Sequence, residues 1–408
     1  MSRCLTYMMS NGLQLVHYPQ AGRVSYCGFI VNAGSRDERP DEYGLAHLVE
    51  HTIFKGTAGR RACHIRNRME AVGGELNAFT SKEETVIYSI FPSGYYERAM
   101  ELMGDLVANA NFPDTEFEKE REVVVEEIDM YRDTPSELIY DEFENRLFAN
   151  HSLGHNILGT PSDLAQISSD KARQFLSRHY IPSQMVFFSL GDIPFERIIR
   201  YAEKYFTTIT ARPDMRKRVA PEVVMPFEER ISCDTHQAHV VCGCRTYSLY
   251  DERRLPMLLL NNILGGPCLN SLLNVSLREQ CGYVYTVESA VTNYTDTGIF
   301  SIYFGTDVRY VDKCLRRIRN VLDRIKGSYL TPSRIAAAKK QYLGQLMVAE
   351  DNNEGLALAI GKGYLRHGTI LSPEEQISRI EAIRLDTMQE VANEMLDADK
   401  WSMLVFQP

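Results

Sequence analysis

The chain has 408 residues, of which 44% are hydrophobic and 24% are charged, as expected for a soluble globular protein. Its length exceeds the roughly 250–300 residues that one hydrophobic core usually serves, so two domains of about 200 residues each are expected. The net charge of -9 argues against nucleic acid as the main partner, and no apolar run is long enough to predict a membrane span.

The N-terminus and the cysteines indicate a cellular compartment. Residues 1–7 lack a charged-then-apolar leader, so no signal peptide is predicted. The nine cysteines are an odd number and are scattered without metal-type spacing. We therefore expect a reduced, cytoplasmic protein.

The segment His47-Leu48-Val49-Glu50-His51 has the H-x-x-E-H pattern of the inverzincins. If it is helical, the two histidines lie four residues apart on one face and can reach a single ion. Glu50 flanks that face and can hold a water without ligating the metal itself. A polar helix face is the alternative, but the apolar neighbours Leu48 and Val49 favour a buried stretch in which a histidine pair needs a partner.

The next elements are predicted from their residue types. Gly73-Gly74 is a turn that leads into a strand over Glu75 to Thr80, and Thr85 to Phe91 has the alternation of a second strand. Asp114 to Tyr131 contains no Gly or Pro and is predicted to be one amphipathic helix.

This helix is the best source of a third metal ligand, because catalytic zinc usually takes three protein ligands. Glu120 and Glu127 are seven residues apart and share a face, whereas Glu126 points about 100° away from Glu127. A solvated acidic face is the common use of such a run, so the residues alone leave the ligand open.

A basic, Pro-containing stretch from Ala211 to Arg218 predicts a boundary. The expected organisation is a metal-binding domain over residues 1–211, a linker over 212–218 and a second domain over 219–408. A weak duplication relates the halves: Asp37-Glu38-Arg39 is echoed by Asp251-Glu252-Arg253, an offset of 251 − 37 = 214. At that offset the two histidines fall on Asn261 and Gly265, so the second domain has no metal motif.

The mixture of alternating strands and long helical patterns predicts the fold class. Gly298 to Phe304 reads as a strand in the second half, and Pro332 to Met347 as a helix. We expect an α+β protein of two homologous domains, each with helices packed on a largely antiparallel sheet.

The metal motif, the spacing of the glutamates and several later segments together resemble the zinc metallopeptidase family of pitrilysin and the mitochondrial processing peptidase. The later segments are Phe54-Lys55-Gly56-Thr57, Gly73 to Thr80, Gly159-Thr160 and Tyr180-Ile181-Pro182, so the resemblance covers essentially the whole chain. In that family the third ligand follows the second histidine by about 76 residues, and 127 − 51 = 76 here. The resemblance thus implies one Zn²⁺ per chain, held by His47, His51 and Glu127. It gives Glu120 a supporting catalytic role and leaves Glu126 as the runner-up ligand.

The resemblance also implies how a substrate is bound. Asn77, Ala78, Phe79 and Thr80 correspond to an edge strand to which an extended peptide can add as one more strand. In the second half, Arg278 and Tyr285 match an arginine and a tyrosine seven residues apart that reach back to the zinc site. The segment Pro267 to Leu272 departs from the family pattern, which leaves details of substrate contact open.

The function implied is that of a zinc endopeptidase or oligopeptidase that hydrolyses unfolded peptides in a closed chamber. A homodimer is expected to form this chamber. Glu50 is the expected general base, and Arg278 and Tyr285 are expected to steady the oxyanion. The alternative is a catalytically inactive structural or partner subunit of a peptidase complex. The intact residues His47, Glu50, His51 and Glu127 argue against it.

Overall fold

The computed structural model describes residues 4–408. The strands are β1 (Leu5–Met8), β2 (Gln14–Pro19), β3 (Val24–Val31), β4 (Glu75–Thr80), β5 (Thr85–Pro92), β6 (Met185–Gly191), β7 (Glu228–Ser232), β8 (Ala238–Thr246), β9 (Val284–Asn293), β10 (Gly298–Thr306) and β11 (Ser402–Gln407). The helices are α1 (Leu45–Ile53), α2 (Ala62–Glu70), α3 (Tyr96–Asn109), α4 (Asp114–Arg132), α5 (Pro135–Leu147), α6 (Pro161–Leu164), α7 (Ser169–His179), α8 (Phe195–Tyr205), α9 (Arg254–Gly265), α10 (Val311–Arg324), α11 (Pro332–Glu350), α12 (Asn353–His367), α13 (Pro373–Glu381) and α14 (Leu385–Met395).

The chain forms two compact units, each built from three segments. Unit 1 contains the segment up to Asp129 together with His155–Arg218 and Val348–Ser372. Unit 2 contains Met130–Gly154, Val219–Met347 and Pro373–Pro408. A single division at residues 212–218 therefore does not separate the units, because two segments cross it.

The sheet of unit 1 has the strand order β1-β2-β6-β3-β5-β4. All its neighbours are antiparallel except β2 and β6, which run parallel. The central strand β6 is buried along its whole length, whereas β4 lies at the edge of the sheet. The predicted strand over Glu75 to Thr80 is thus confirmed, and its second long side is open for pairing.

The sheet of unit 2 has the order β7-β11-β8-β10-β9, and only β7 and β11 are parallel. It repeats the pairing of β2, β6, β3, β5 and β4 in unit 1. The α+β class with two homologous, largely antiparallel units is therefore confirmed. Asn261 and Gly265 lie on α9, so the helix related to α1 carries no histidine pair.

Each unit borrows one helix from the other half of the sequence. Helix α5 packs on β8 and β11 of unit 2, where Ile139 and Phe143 join a cluster with Val241 and Leu404. Helix α12 packs on β2, β3 and β6 of unit 1. There Gly361 allows close approach, because a Cβ atom at that position would lie 2.7 Å from the side chain of Ile30. Without these helices, an apolar face of each sheet would be open to water.

The stretch 212–218 has no helix or strand, as its composition predicts. It is nevertheless tied to unit 1, because the guanidinium of Arg218 donates to the carboxylate of Asp37 at 2.7 and 3.0 Å. Among the described residues, every helix is too short or too polar to cross a membrane.

Candidate metal centre

Helices α1 and α4 bring together the three residues that the sequence offers as metal ligands. Nε2 of His47 lies 3.8 Å and Nε2 of His51 lies 3.6 Å from the same carboxylate oxygen of Glu127. One ligand atom from each residue can be chosen so that all three lie within 4.8 Å of one another. Within residues 4–408 this is the one group of its kind.

These separations fit a zinc ion. Two ligand atoms about 2.1 Å from a tetrahedral centre lie about 3.4 Å apart, so the observed distances need only small adjustments. Two imidazoles and one carboxylate are also a common ligand set of catalytic zinc, which keeps a fourth position open. His47 is 9% exposed, while His51 and Glu127 are partly exposed. Two of the three residues are therefore in contact with solvent.

Glu120 and Lys55 surround the second histidine. Nδ1 of His51 lies 3.4 Å from one carboxylate oxygen of Glu120. The other oxygen forms an ion pair of 2.7 Å with Nζ of Lys55. Glu120 and Glu127 thus approach opposite nitrogens of one ring, as the seven-residue spacing on one helix face allows. A carboxylate at Nδ1 fixes the tautomer that leaves Nε2 free for a metal.

Glu126 does not join this cluster. Its side chain lines a shallow surface groove with Arg121, Val125 and Pro161. The structure therefore brings Glu127, and not Glu126, to the histidine pair.

The start of α1 is held by a buried carboxylate. Glu38 accepts hydrogen bonds from the backbone N–H groups of Gly44 at 3.1 Å and Ala46 at 2.6 Å, and Nε2 of His155 lies 2.8 Å from it. Burial raises the pKa of Glu38 well above its ordinary value, and the two backbone donors lower it in part. Glu38 thereby satisfies donors at a helix N-terminus and fixes the helix immediately before His47.

Burial also sets the charge state of the site. It lowers the pKa of His47 to about 3, and the charge of His51 adds to that effect. The ring is therefore neutral at physiological pH, which metal binding requires. Burial raises the pKa of Glu50, whereas the polar groups of Thr80 and the charge of His51 lower it. Glu50 is thus close enough to both His51 and Thr80 for them to affect its pKa.

Strand β4 presents regularly spaced backbone groups at its open side. Ser81 pairs with Glu84 by an N–H···O=C bond of 2.8 Å at the end of the β4–β5 hairpin. Since hydrogen-bonded pairs alternate along an antiparallel ladder, Asn77 and Phe79 face β5. The N–H and C=O groups of Ala78 and Thr80 then face outward, and Thr80 is the one beside Glu50.

Arg278 and Tyr285 lie in unit 2. Arg278 is on a single π-helical turn, Asn274–Glu279, and Tyr285 is near the start of β9. The guanidinium lies 5.8 Å from the centre of the tyrosine ring, and Tyr285 is 81% exposed. The structure therefore brings these two residues to each other on the surface of unit 2.

Sequence reasoning missed two supporting residues. Lys55 lies two residues beyond the end of α1, so its closeness in sequence to the metal motif could have pointed to it. Glu38 has no comparable signal, because its partners Gly44 and His155 are identified only by the folded loop.

Comparisons with known proteins define the class. The pattern of the insulinase family, peptidase family M16, matches residues 15–161, and that of the peptidase M16 inactive domain matches residues 166–342. A protease from Helicobacter pylori has the same fold with a TM-score of 0.91 at 20% identity, and 100% of each chain is covered. A peptidase M16 inactive domain from Pseudomonas fluorescens also has a TM-score of 0.91, at 19% identity, with 99% of this chain and 98% of that chain covered.

The relatives in sequence are named zinc proteases. The zinc protease YmxG of Bacillus subtilis, which is described as uncharacterized, is 31% identical over 96% of each chain. An uncharacterized zinc protease of Streptomyces coelicolor is 31% identical over 90% of this chain and 82% of the relative. The chain belongs to peptidase family M16, and its likeness to these relatives supports a zinc protease in general terms.

Proposed function

We propose that the protein is a zinc-dependent endopeptidase or oligopeptidase that hydrolyses unfolded peptides. The observation that carries this proposal is the arrangement of His47, His51 and Glu127 around one point, with Glu50 beside them. The two histidines and Glu127 are the proposed ligands of one zinc ion per chain. When bound, zinc would supply a Lewis acid that polarises a peptide carbonyl and lowers the pKa of a water.

The chain's own residues would do the rest of the chemistry. Glu50 would accept a proton from the attacking water and deliver it to the leaving amine. Glu120 would hold His51 in the tautomer whose Nε2 is free. The outward N–H and C=O groups of Ala78 would pair with an extended substrate, together with the neighbouring residues Asn77 to Thr80, and place its backbone next to Glu50.

The second half would complete the reaction. Arg278 and Tyr285 would donate hydrogen bonds to the oxygen of the carbonyl under attack. The proposed division of labour gives metal binding to residues 1–211, a linker role to 212–218, and these two donors to 219–408. A homodimer would form the chamber, which admits extended peptides and excludes stable folded domains by size.

The deciding experiment is the substitution Glu50→Gln. The variant should keep about one zinc per chain, because Glu50 is not a ligand, and its rate of peptide hydrolysis should fall on the order of 10² or more. Glu70→Gln removes the same charge at an exposed position on α2 and should behave as the wild type. Full activity of Glu50→Gln would remove Glu50 from the mechanism.

The same assay tests the alternative of an inactive subunit. A wild-type chain that binds zinc and cleaves no member of a random peptide library would favour that alternative. Sequencing the products of an active enzyme would define its specificity.

The role of the second half is tested by Tyr285→Phe. We expect kcat to fall while zinc content stays constant, because only the hydroxyl donor is lost. Tyr283→Phe, two residues earlier and stacked on Tyr310, is the matched control. Equal kcat in the two variants would argue against a catalytic hydroxyl at Tyr285.

A further inference from the structure

A groove lies between α10 and the strands β7 and β11 of unit 2. It encloses about 430 Å³. Phe227, Leu315 and Trp401 contribute apolar surface. The charged lining residues are three arginines and two carboxylates, an excess of one positive charge: Arg230, Arg316, Arg319, Glu228 and Asp312. A cavity with apolar walls and a few charged groups is suited to hold a partner in one orientation.

Helix α10 is the counterpart of α3 in unit 1. Both helices have 14 residues, each follows a 3-10 turn after the related strand, and their ends differ by 311 − 96 = 215 and 324 − 109 = 215. Each buried residue of α10 has a buried counterpart in α3 at this offset, and these residues of α10 are Val311, Cys314, Ile318, Val321 and Leu322. The two helices therefore present equivalent faces.

In unit 1 helix α8 covers this face. Glu97 of α3 accepts hydrogen bonds of 3.0 Å from both Lys204 and Tyr205 of α8. A Cβ atom at Gly104 would lie 2.8 Å from the carbonyl oxygen of Tyr205 and 2.9 Å from the ring of Phe206. Positions 97 and 104 thus define the contact between α3 and α8.

In unit 2 the equivalent positions line the open groove. At the offset of 215, Asp312 corresponds to Glu97 and Arg319 corresponds to Gly104. Both Asp312 and Arg319 line the groove. Within the described part of unit 2, no helix occupies the place that α8 takes in unit 1. The described part of unit 2 thus leaves uncovered the face of α10 that corresponds to the face of α3 covered by α8.

The charges of this site differ from those in unit 1. Helix α8 brings Lys204 to Glu97 of α3, whereas α10 has five basic and two acidic residues. Arg230 and Arg319 have carboxylate partners at 3.1 and 3.3 Å. Arg316 is exposed and forms no ion pair with any described residue.

We propose that the groove beside α10 binds an acidic amphipathic helix of a partner protein, in the position that α8 occupies in unit 1. The apolar face of the helix contacts Leu315 and Phe227, and its carboxylates pair with Arg316 and Arg319. This site is separate from the metal centre and does not depend on peptidase activity.

The single tryptophan of the chain provides the signal for a test. Trp401 lines the groove, is 8% exposed, and donates from Nε1 to the carbonyl oxygen of Met395 at 2.8 Å. The probe is a synthetic peptide of the α8 sequence with the changes Arg197→Glu and Arg200→Glu, in which Lys204 is kept because its partner Glu97 corresponds to the acidic residue Asp312. It is held helical by a side-chain bridge because so short a helix is otherwise marginal. It contains no tryptophan, so a change in fluorescence on titration reports the full-length protein. The unchanged α8 peptide is the control ligand.

We expect saturable binding of the acidic peptide and binding of the unchanged peptide at least about tenfold weaker. Arg316→Glu should weaken binding of the acidic peptide about tenfold or more, because the carboxylates would meet a negative charge. Arg317→Glu makes the same change one residue later, outside the lining of the groove, and should have little effect. Both residues are exposed, so both variants should keep the wild-type thermal midpoint.

Several results would overturn the proposal. These are no response of Trp401 to the acidic peptide, equal binding of the two peptides, and equal weakening by Arg316→Glu and Arg317→Glu. Light scattering adds one further outcome. A dimer that Arg316→Glu dissociates and Arg317→Glu does not would assign the groove to a second copy of this chain.

Discussion

Nδ1 of His51 lies 3.4 Å from Glu120, while Nε2 of the same ring lies 3.6 Å from Glu127. One imidazole is thus held between two carboxylates of a single helix. Glu127 is in position to share a metal with Nε2, and Glu120 is in position to accept the proton of Nδ1.

The first prediction concerns Glu120. Glu120→Gln should weaken zinc binding by about 10- to 100-fold, because a neutral amide oxygen accepts from Nδ1 more weakly than the carboxylate and fixes the tautomer less firmly. Zinc affinity can be measured by competition with a chromophoric chelator. Glu122→Gln, at an exposed position on the same helix, should leave the affinity unchanged. Equal zinc affinities of the two variants would show that Glu120 does not contribute to zinc binding.

The second prediction distinguishes two adjacent glutamates. Glu127→Gln should lose zinc, and with it activity, because the carboxylate that faces both histidines becomes a poor ligand. Glu126→Gln should retain zinc, since its side chain lies in a different groove. Metal content by atomic absorption after dialysis decides between them. Loss of zinc in Glu126→Gln and retention in Glu127→Gln would identify Glu126 as the ligand.

The third prediction concerns the edge strand. Ala78→Pro removes an N–H that faces away from β5, so the sheet should stay intact while peptide addition is blocked. We expect KM for extended peptides to rise about tenfold with zinc content unchanged. Ala78→Val keeps the N–H and is the control. A KM that is the same in both variants would show that substrates do not pair with β4.

The fourth prediction concerns acid stability. His179 is buried against Phe175, neither ring nitrogen has a hydrogen-bond partner among residues 4–408, and burial lowers its pKa from 6.5 to about 4. Between these two values the unfolded chain binds a proton that the folded chain does not. The free energy of unfolding therefore falls as the pH is lowered from 6.5 towards 4, by up to about 1.4 kcal/mol per pH unit.

The variant His179→Phe should flatten this dependence, because a ring of similar shape replaces the titratable group. Urea unfolding midpoints at pH 7 and pH 5 measure the slope. His64→Phe, at an exposed position, should leave the slope unchanged. His17 and His47 have lowered pKa values of the same sign, so part of the dependence should remain.

The sequence predicts best the parts of the site that are local. His47 and His51 share a face because they are four residues apart on one helix, and Glu120 and Glu127 do so because they are seven apart. Each pair needs only a helix to form. The meeting of the two pairs is a tertiary contact across 76 residues, and it was expected from the family resemblance and not from the helices themselves.

Long-range packing escaped prediction for the same reason. The segments of α5 and α12 were not predicted from the sequence, and periodicity would not have said which sheet each helix covers. The Glu38 carboxylate likewise gives no signal in the chain, because a glutamate six residues before Gly44 becomes a cap only when the intervening loop closes. Strands such as β5 and β10 and helices such as α4 were predicted closely, since their patterns are set by local alternation.

Helix α5 belongs to unit 2 and helix α12 to unit 1, and this arrangement affects the order in which the parts of the protein can fold. Domains usually fold in sequence as they leave the ribosome. Here the first sheet waits for residues 348–372, which are translated after most of the second sheet, and α5 waits for β8 and β11. The sheet of unit 1 therefore keeps an uncovered apolar face until residues 348–372 have been made, and unit 2 is incomplete until β11 has been made.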